Sequence, residues 1–80
     1  MNEERYPNIW HYKCVEGDIE YDVEEIDGER FWYRNDILHR EAGPAIEGDC
    51  YTLYWYYDGV QIDCASQEEF EQLIRLKAFW

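Results

Sequence analysis

The side chains with the most obvious chemical capacity are carboxylates. Glu16, Asp18, Glu20, Asp22, Glu24, Glu25, Asp27 and Glu29 fall within fourteen residues that hold no Lys, Arg or His. Paired carboxylates serve glycoside hydrolysis when one of them has a raised pKa in a partly apolar pocket. Here Asp18, Glu20, Asp22 and Glu24 alternate with Ile19, Tyr21 and Val23. That period of two predicts a strand with one buried face, leaving the carboxylates on an open ridge rather than in a pocket. Same-face neighbours on such a strand lie roughly 6.6 Å apart, from about 3.3 Å of rise per residue. A row of like charge repels itself, so it is either a solvated face that aids solubility or a surface made for a cationic partner.

The other reactive types give weaker signals. His39, Arg40 and Glu41 are consecutive, so on a strand they alternate faces and do not converge on one substrate. The expected roles are structural: His39 at a strand end, Arg40 and Glu41 against neighbouring charges. Ser66 heads a Ser-Gln-Glu-Glu run and reads as a helix cap rather than a nucleophile. Cys14, Cys50 and Cys64 are odd in number, widely spaced and without CxxC or His-x-His spacing, so unpaired thiols and no metal are expected. No Gly-rich phosphate loop is present. Neither catalysis nor a cofactor is expected.

Eighty residues predict one small domain, and four Trp, eight Tyr and three Phe supply the apolar area for its core. Nineteen acids against seven bases give a formal net charge of −12, which argues against nucleic-acid binding, since phosphates require Lys and Arg. A basic protein surface is the partner this charge favours. No apolar run approaches the ~20 residues of a membrane span, and the first residues lack a signal-peptide pattern, so a cytosolic protein is expected.

The elements that must position these groups can be traced in order. Ile9 to Val15 reads as a first strand, Gly17-Asp18 as a turn, and Ile19 to Ile26 as the acidic strand. Asp27-Gly28 is a strong hairpin signal into Glu29 to Arg34, and Asn35-Asp36 turns into Ile37 to Arg40. Gly43-Pro44 interrupts, and a short Ala45-Ile46 segment reaches the Glu47-Gly48-Asp49 turn. Cys50 to Tyr57 is an aromatic strand, and Asp58-Gly59 leads into Val60 to Cys64. The period then becomes helical, with Phe70, Leu73, Ile74 and Lys77 on one stripe, predicting a helix over 67–78 that packs on the sheet as its lid. The expected fold is α+β: an antiparallel meander of about six short strands followed by one helix.

A shift of 23 residues superimposes 31–37 on 54–60, that is, Phe-Trp-Tyr-Arg-Asn-Asp-Ile on Tyr-Trp-Tyr-Tyr-Asp-Gly-Val. Each copy is an aromatic strand, a polar turn and an aliphatic return strand, so one hairpin is duplicated. Alternation puts Tyr51, Leu53, Trp55 and Tyr57 on one face and Tyr54 and Tyr56 on the other, while Phe31 and Tyr33 oppose Trp32. Aromatic surface is therefore expected on both faces, with Trp32, Tyr54 and Tyr56 as secondary candidates for contact with a partner.

From Trp32-Tyr33 through Leu38-His39-Arg40-Glu41-Ala42-Gly43-Pro44-Ala45, and again at Trp55-Tyr56-Tyr57-Asp58-Gly59, the chain resembles the MORN-like repeat proteins of bacteria and phages. The resemblance covers residues 27–63, departs at Ala42 where the family usually has Asp, and lacks His-Arg-x-x-Gly-Pro-Ala in the second copy. It implies a β-hairpin scaffold, often phage-borne, and no active site. In size, acidity and cytosolic character the chain is similar to phage DNA-mimic inhibitors, by analogy of charge and size and not by shared motifs. The expected function is an inhibitory binding protein that occupies the basic nucleic-acid-binding surface of a host defence protein, a CRISPR effector or a restriction enzyme. The eight carboxylates of 16–29 would carry it. The alternative is a structural or antitoxin-like interaction module whose charge is incidental. A convincing mimic needs a second acidic row, since one strand offers a charge per ~6.6 Å while each DNA strand carries one per ~3.4 Å.

Overall fold

The computed structural model describes residues 9–48 and 52–76. They form seven strands and a helix: β1 (Ile9–Glu16), β2 (Ile19–Ile26), β3 (Glu29–Arg34), β4 (Ile37–Leu38), β5 (Ile46–Glu47), β6 (Leu53–Tyr57), β7 (Val60–Ile62) and α1 (Gln67–Leu76). The class is the expected antiparallel α+β arrangement, with seven strands rather than six. Cys50, and the start of the aromatic strand expected from it, lie outside the described residues, as do 77 and 78 of the expected helix.

Turn chemistry sets the hairpins. Asp27-Gly28, Asn35-Asp36 and Asp58-Gly59 all have positive φ at both positions, from 49° to 89°. That is the type I′ geometry whose twist matches paired strands, and Asn, Asp and Gly tolerate it best. Between β1 and β2 only Gly17 has positive φ, as a type II′ turn requires.

The strand order is β1-β2-β3-β5-β6-β7, with β4 also paired to β3. Strand β3 uses Tyr33 and Arg34 to pair β4, and Arg30 and Phe31 to pair β5. The return strand expected over 37–40 is only two residues long: His39 still donates to Trp32 O of β3 at 3.0 Å, but Arg40 turns away to the second hairpin. The amide of Arg40 donates to Tyr56 O, and Gly59 donates to Leu38 O.

Register confirms the alternation of β2. Tyr21 and Val23 are buried, Asp22 and Glu20 exposed, and Val23 stands opposite Trp32. Two apolar clusters result rather than one. The first holds Tyr21, Val23, Trp32 and Ala45; the second holds Trp55, Ile62 and Phe70 of the helix. Helix α1 thus packs on the β6–β7 end, and its first residue, Gln67, reaches the 39–45 loop by donating from Nε2 to Glu41 O. Ten residues span about 15 Å, whereas the molecule is 56 Å long, so the helix cannot roof the sheet. Over the first cluster the lid is the loop 39–45. This division agrees with a radius of gyration of 14.3 Å, against about 12 Å for a compact chain of this length.

Candidate functional site: the open sheet face

Residues of adjacent strands that pair in register point to the same face. One face carries the two clusters. The other carries His11 and Lys13 of β1, Glu20, Asp22 and Glu24 of β2, Phe31 and Tyr33 of β3, Ile46 of β5, and Tyr54 and Tyr56 of β6. Two shallow cavities lie on this outer face. One, of about 480 Å³, lies among His11, Lys13, Asp22, Glu24, Tyr33 and Asp36. The other, of about 460 Å³, is lined by Phe31, Ile46, Tyr54, Tyr56 and Gln61, with Glu29 at its rim. The pair Glu24–Phe31 joins them into one acidic and aromatic surface.

The eight expected carboxylates do not form one ridge. Glu20, Asp22 and Glu24 share the outer face. Glu16 pairs in register with Ile19 and turns to the core side, where its oxygens accept from Arg40 Nη2 at 2.6 Å and Nε at 3.0 Å. Glu25, opposite Arg30, accepts from its Nε at 2.9 Å. The cause is the pleat: Glu24 and Glu25 are consecutive and must face opposite ways, while the two-residue turn puts Glu16 level with Ile19. Asp18, Asp27 and Glu29 sit at exposed hairpin ends.

One cation on β1, Lys13, tempers the row. Lys13 Nζ donates to Asp22 Oδ1 at 2.7 Å, and His11 Nε2 lies 3.7 Å from Glu24. The hydrogen bond to Asp22, with its charge, holds Lys13 above its ordinary pKa. Burial first, then the Glu24 charge, pushes the Tyr33 hydroxyl up; that hydroxyl sits 3.5 Å from Glu24. Among the described residues Asp18, Glu20 and Glu29 carry no ion pair, so they are the least neutralised members of the set.

Of the secondary aromatic candidates, Trp32 is corrected: it is 4 % exposed and cannot touch a partner. Its ring meets Tyr21 edge-on at 5.5 Å, lies 3.6 Å beneath the Arg40 guanidinium, and donates from Nε1 to Glu47. Trp55, its counterpart in the repeat, is buried too and donates from Nε1 to Gln67 Oε1 at 2.8 Å. Both tryptophans therefore face the core, and the aromatic outer face consists of their neighbours. Tyr54 is exposed and Tyr56 half-buried, as a contact surface requires, and Phe31 joins them. The repeat alignment of Phe31 with Tyr54 already contained the signal for Phe31.

His39-Arg40-Glu41 and the residues after it form a staple between the hairpins. His39 is 1 % exposed; its Nδ1 accepts from the Asp58 amide at 2.9 Å, which assigns the proton to Nε2, bonded to Glu41 at 3.0 Å. Both ring nitrogens are thus committed, and Tyr57 packs on the ring at 4.6 Å. Arg40 also donates to Pro44 O. Burial alone would lower the Arg40 pKa, but the bonds and charges of Glu16 and Glu47 outweigh it and hold it above the ordinary value. A Cβ on Gly43 would come within 2.8 Å of this guanidinium. Fully buried Ala45 bridges both copies, donating to Tyr54 O and accepting from Trp32 N.

Cys14 and Cys64 are unpaired and half-buried. Burial, with Glu69 and Asp63 nearby, pushes the Cys64 thiol up, away from the reactive thiolate. Among the described residues no three His, Cys, Asp or Glu side chains gather as a metal site, and no helix is long and apolar enough to cross a membrane.

No protein-family model, curated protein or solved structure matches this chain. The fold and the open face define it as a small antiparallel sheet protein with one terminal helix.

Proposed function

We propose that this chain is an acidic binding protein of phage type, acting in the host cytoplasm, whose outer sheet face occupies the basic nucleic-acid-binding surface of a host defence protein. The observation that supports this reading is the uncovered outer face, where Glu20, Asp22 and Glu24 adjoin Phe31, Tyr54 and Tyr56. Aromatic anchors beside a charged row combine desolvation energy with electrostatic steering, the two things a fast and selective inhibitor needs. The reading involves no chemistry on the target. Phage plating on bacteria carrying a CRISPR effector or a restriction enzyme tests it: expression of this protein should restore plaques. Asp18→Asn, Glu20→Gln, Asp22→Asn and Glu24→Gln combined should abolish the effect without unfolding the protein. Unchanged protection by the quadruple variant would refute it.

A second reading has its own support. Glu16, Asp22, Glu25 and Glu47 each already have a Lys or Arg neighbour. Such internal pairing suits a MORN-like interaction module whose charge serves solubility. In that case the aromatic patch alone binds, and Tyr54→Ala with Phe31→Ala, not the carboxylate changes, would abolish association.

A further inference from the structure

Strand β1 ends the sheet, and among the described residues it pairs only with β2. It is eight residues long, and Ile9, Trp10, Tyr12 and Val15 are all exposed, Trp10 by 63 % and Val15 by 64 %. Natural edges are blunted by Pro, bulges or outward lysines. This one has no Pro, is in continuous register with β2, and its single Lys13 is engaged by Asp22.

The order of apolar residues on β1 is symmetrical. Ile9, Trp10, Tyr12, Cys14 and Val15 are apolar, His11 and Lys13 polar, so the pattern reads identically in both directions about Tyr12. A two-fold interface requires such self-complementarity, because each residue must accept its partner's reciprocal neighbour. Backbone phase agrees with it. In a hairpin closed by a two-residue turn, the flanking pair Glu16–Ile19 exchanges both hydrogen bonds, and such pairs then alternate. Cys14, Tyr12 and Trp10 therefore bond to β2, while Val15, Lys13, His11 and Ile9 present their N–H and C=O groups to the open edge.

We propose that β1 is the two-fold interface of a homodimer, in which two copies pair antiparallel about Tyr12. Ile9 then hydrogen-bonds with Val15 of the second copy and His11 with Lys13. Tyr12 faces its own counterpart, and Trp10 faces Cys14. Every exposed apolar residue of the strand meets another. Charge permits a second copy at this strand, and among the end strands β1 is the long one, eight residues against three in β7. The β1 segment holds one Lys and one Glu and is formally neutral, whereas β2 alone carries four carboxylates. The dimer also places the two β2 rows on either side of the β1 pair, three strand spacings or about 14 Å apart. That separation is close to the ~12 Å width of the B-DNA major groove, and it sets a second acidic row beside the first. This last consequence rests on the binding reading above; the dimer itself does not.

Sedimentation velocity from about 1 μM to about 1 mM tests the pairing without any target protein. The edge is shorter than a standard ~1,600 Å² interface would need, so a dimer is expected in the upper part of that range, and more of it in 0.5 M salt, where repulsion between two chains of charge −12 is screened. Val15→Pro removes an outward donor but no bond to β2; it should yield a monomer with an unchanged circular dichroism spectrum. With all three native cysteines changed to Ser, Tyr12→Cys should give a disulfide-linked dimer on mild oxidation, since a non-hydrogen-bonded pair has Cα atoms about 4.5 Å apart. His11→Cys in the same background should cross-link at least tenfold more slowly. A wild-type monomer throughout, a dimer that survives Val15→Pro, or equal cross-linking at positions 11 and 12 would overturn the proposal.

Discussion

The guanidinium of Arg40 lies 3.6 Å above the Trp32 ring while its Nη2 donates to Glu16 at 2.6 Å. This contact ties the β1–β2 turn, β3 and the Gly43-Pro44 loop together around one largely buried cation. Removing it strands the Glu16 carboxylate, leaves Glu47 with Arg30 and Trp32 Nε1 alone, and uncovers the indole. Arg40→Ala should lower unfolding free energy by about 2–4 kcal/mol, and Arg40→Lys by roughly half as much, because Lys has no planar fork to stack and pair at once. Urea denaturation monitored by Trp fluorescence measures both.

Gly43 is coupled to the same cation. The guanidinium occupies the space a Cβ would need and is held by Glu16, Glu47, Pro44 O and the Trp32 ring, so it cannot swing aside freely. Gly43→Ala should cost about 1–2 kcal/mol in the parent and nearly nothing in Arg40→Ala. Equal costs in the two backgrounds would show that the glycine serves some other need.

The tautomer of His39 makes a distinguishing prediction. Asn places an oxygen where Nδ1 sits and keeps the bond from the Asp58 amide; Gln reaches toward Glu41 instead. His39→Asn should therefore be milder than His39→Ala, for which the cavity and the orphaned buried amide together cost about 3 kcal/mol. If Asn is no better than Ala in thermal unfolding, the amide contact contributes little.

Alkaline pH should weaken the fold. Burial raises the Tyr21, Tyr33 and Tyr57 hydroxyls above 10.0, helped at each by a nearby carboxylate. A folded-state pKa above the unfolded one gives stability that is whole below pH 10 and lost as pH rises through the folded value. Unfolding midpoints should be flat toward pH 9 and decline beyond 10, and absorbance titration at alkaline pH should show tyrosines ionising late. Tyr21→Phe should reduce the slope.

At the helix start, Ser66 Oγ accepts from the Glu69 amide at 3.2 Å, and Glu69 Oε1 accepts from the Ala65 amide at 2.6 Å. The capping box is thus present, with its return bond displaced by one residue. Ser66→Ala should cost about 1 kcal/mol, read as reduced helical signal and a lower thermal midpoint.

The sequence by itself determined what depends on neighbours along the chain. Asp27-Gly28, Asn35-Asp36 and Asp58-Gly59 set three turns because positive φ is a local demand, and period two set the inward face of β2 because side chains alternate whatever surrounds them. Ser66 announced the helix for the same reason. Only the tertiary structure decided what those faces meet. Trp32 and Trp55 are equivalent in the repeat, yet nothing local says that both turn inward. That follows from Arg40 arriving over one ring and Phe70, with Gln67, over the other. The fate of the carboxylates was likewise settled at a distance. Asp22 is tempered by Lys13 across β1, and Glu16 by Arg40 twenty-four residues away, because ion pairing depends on separation in space and not along the chain.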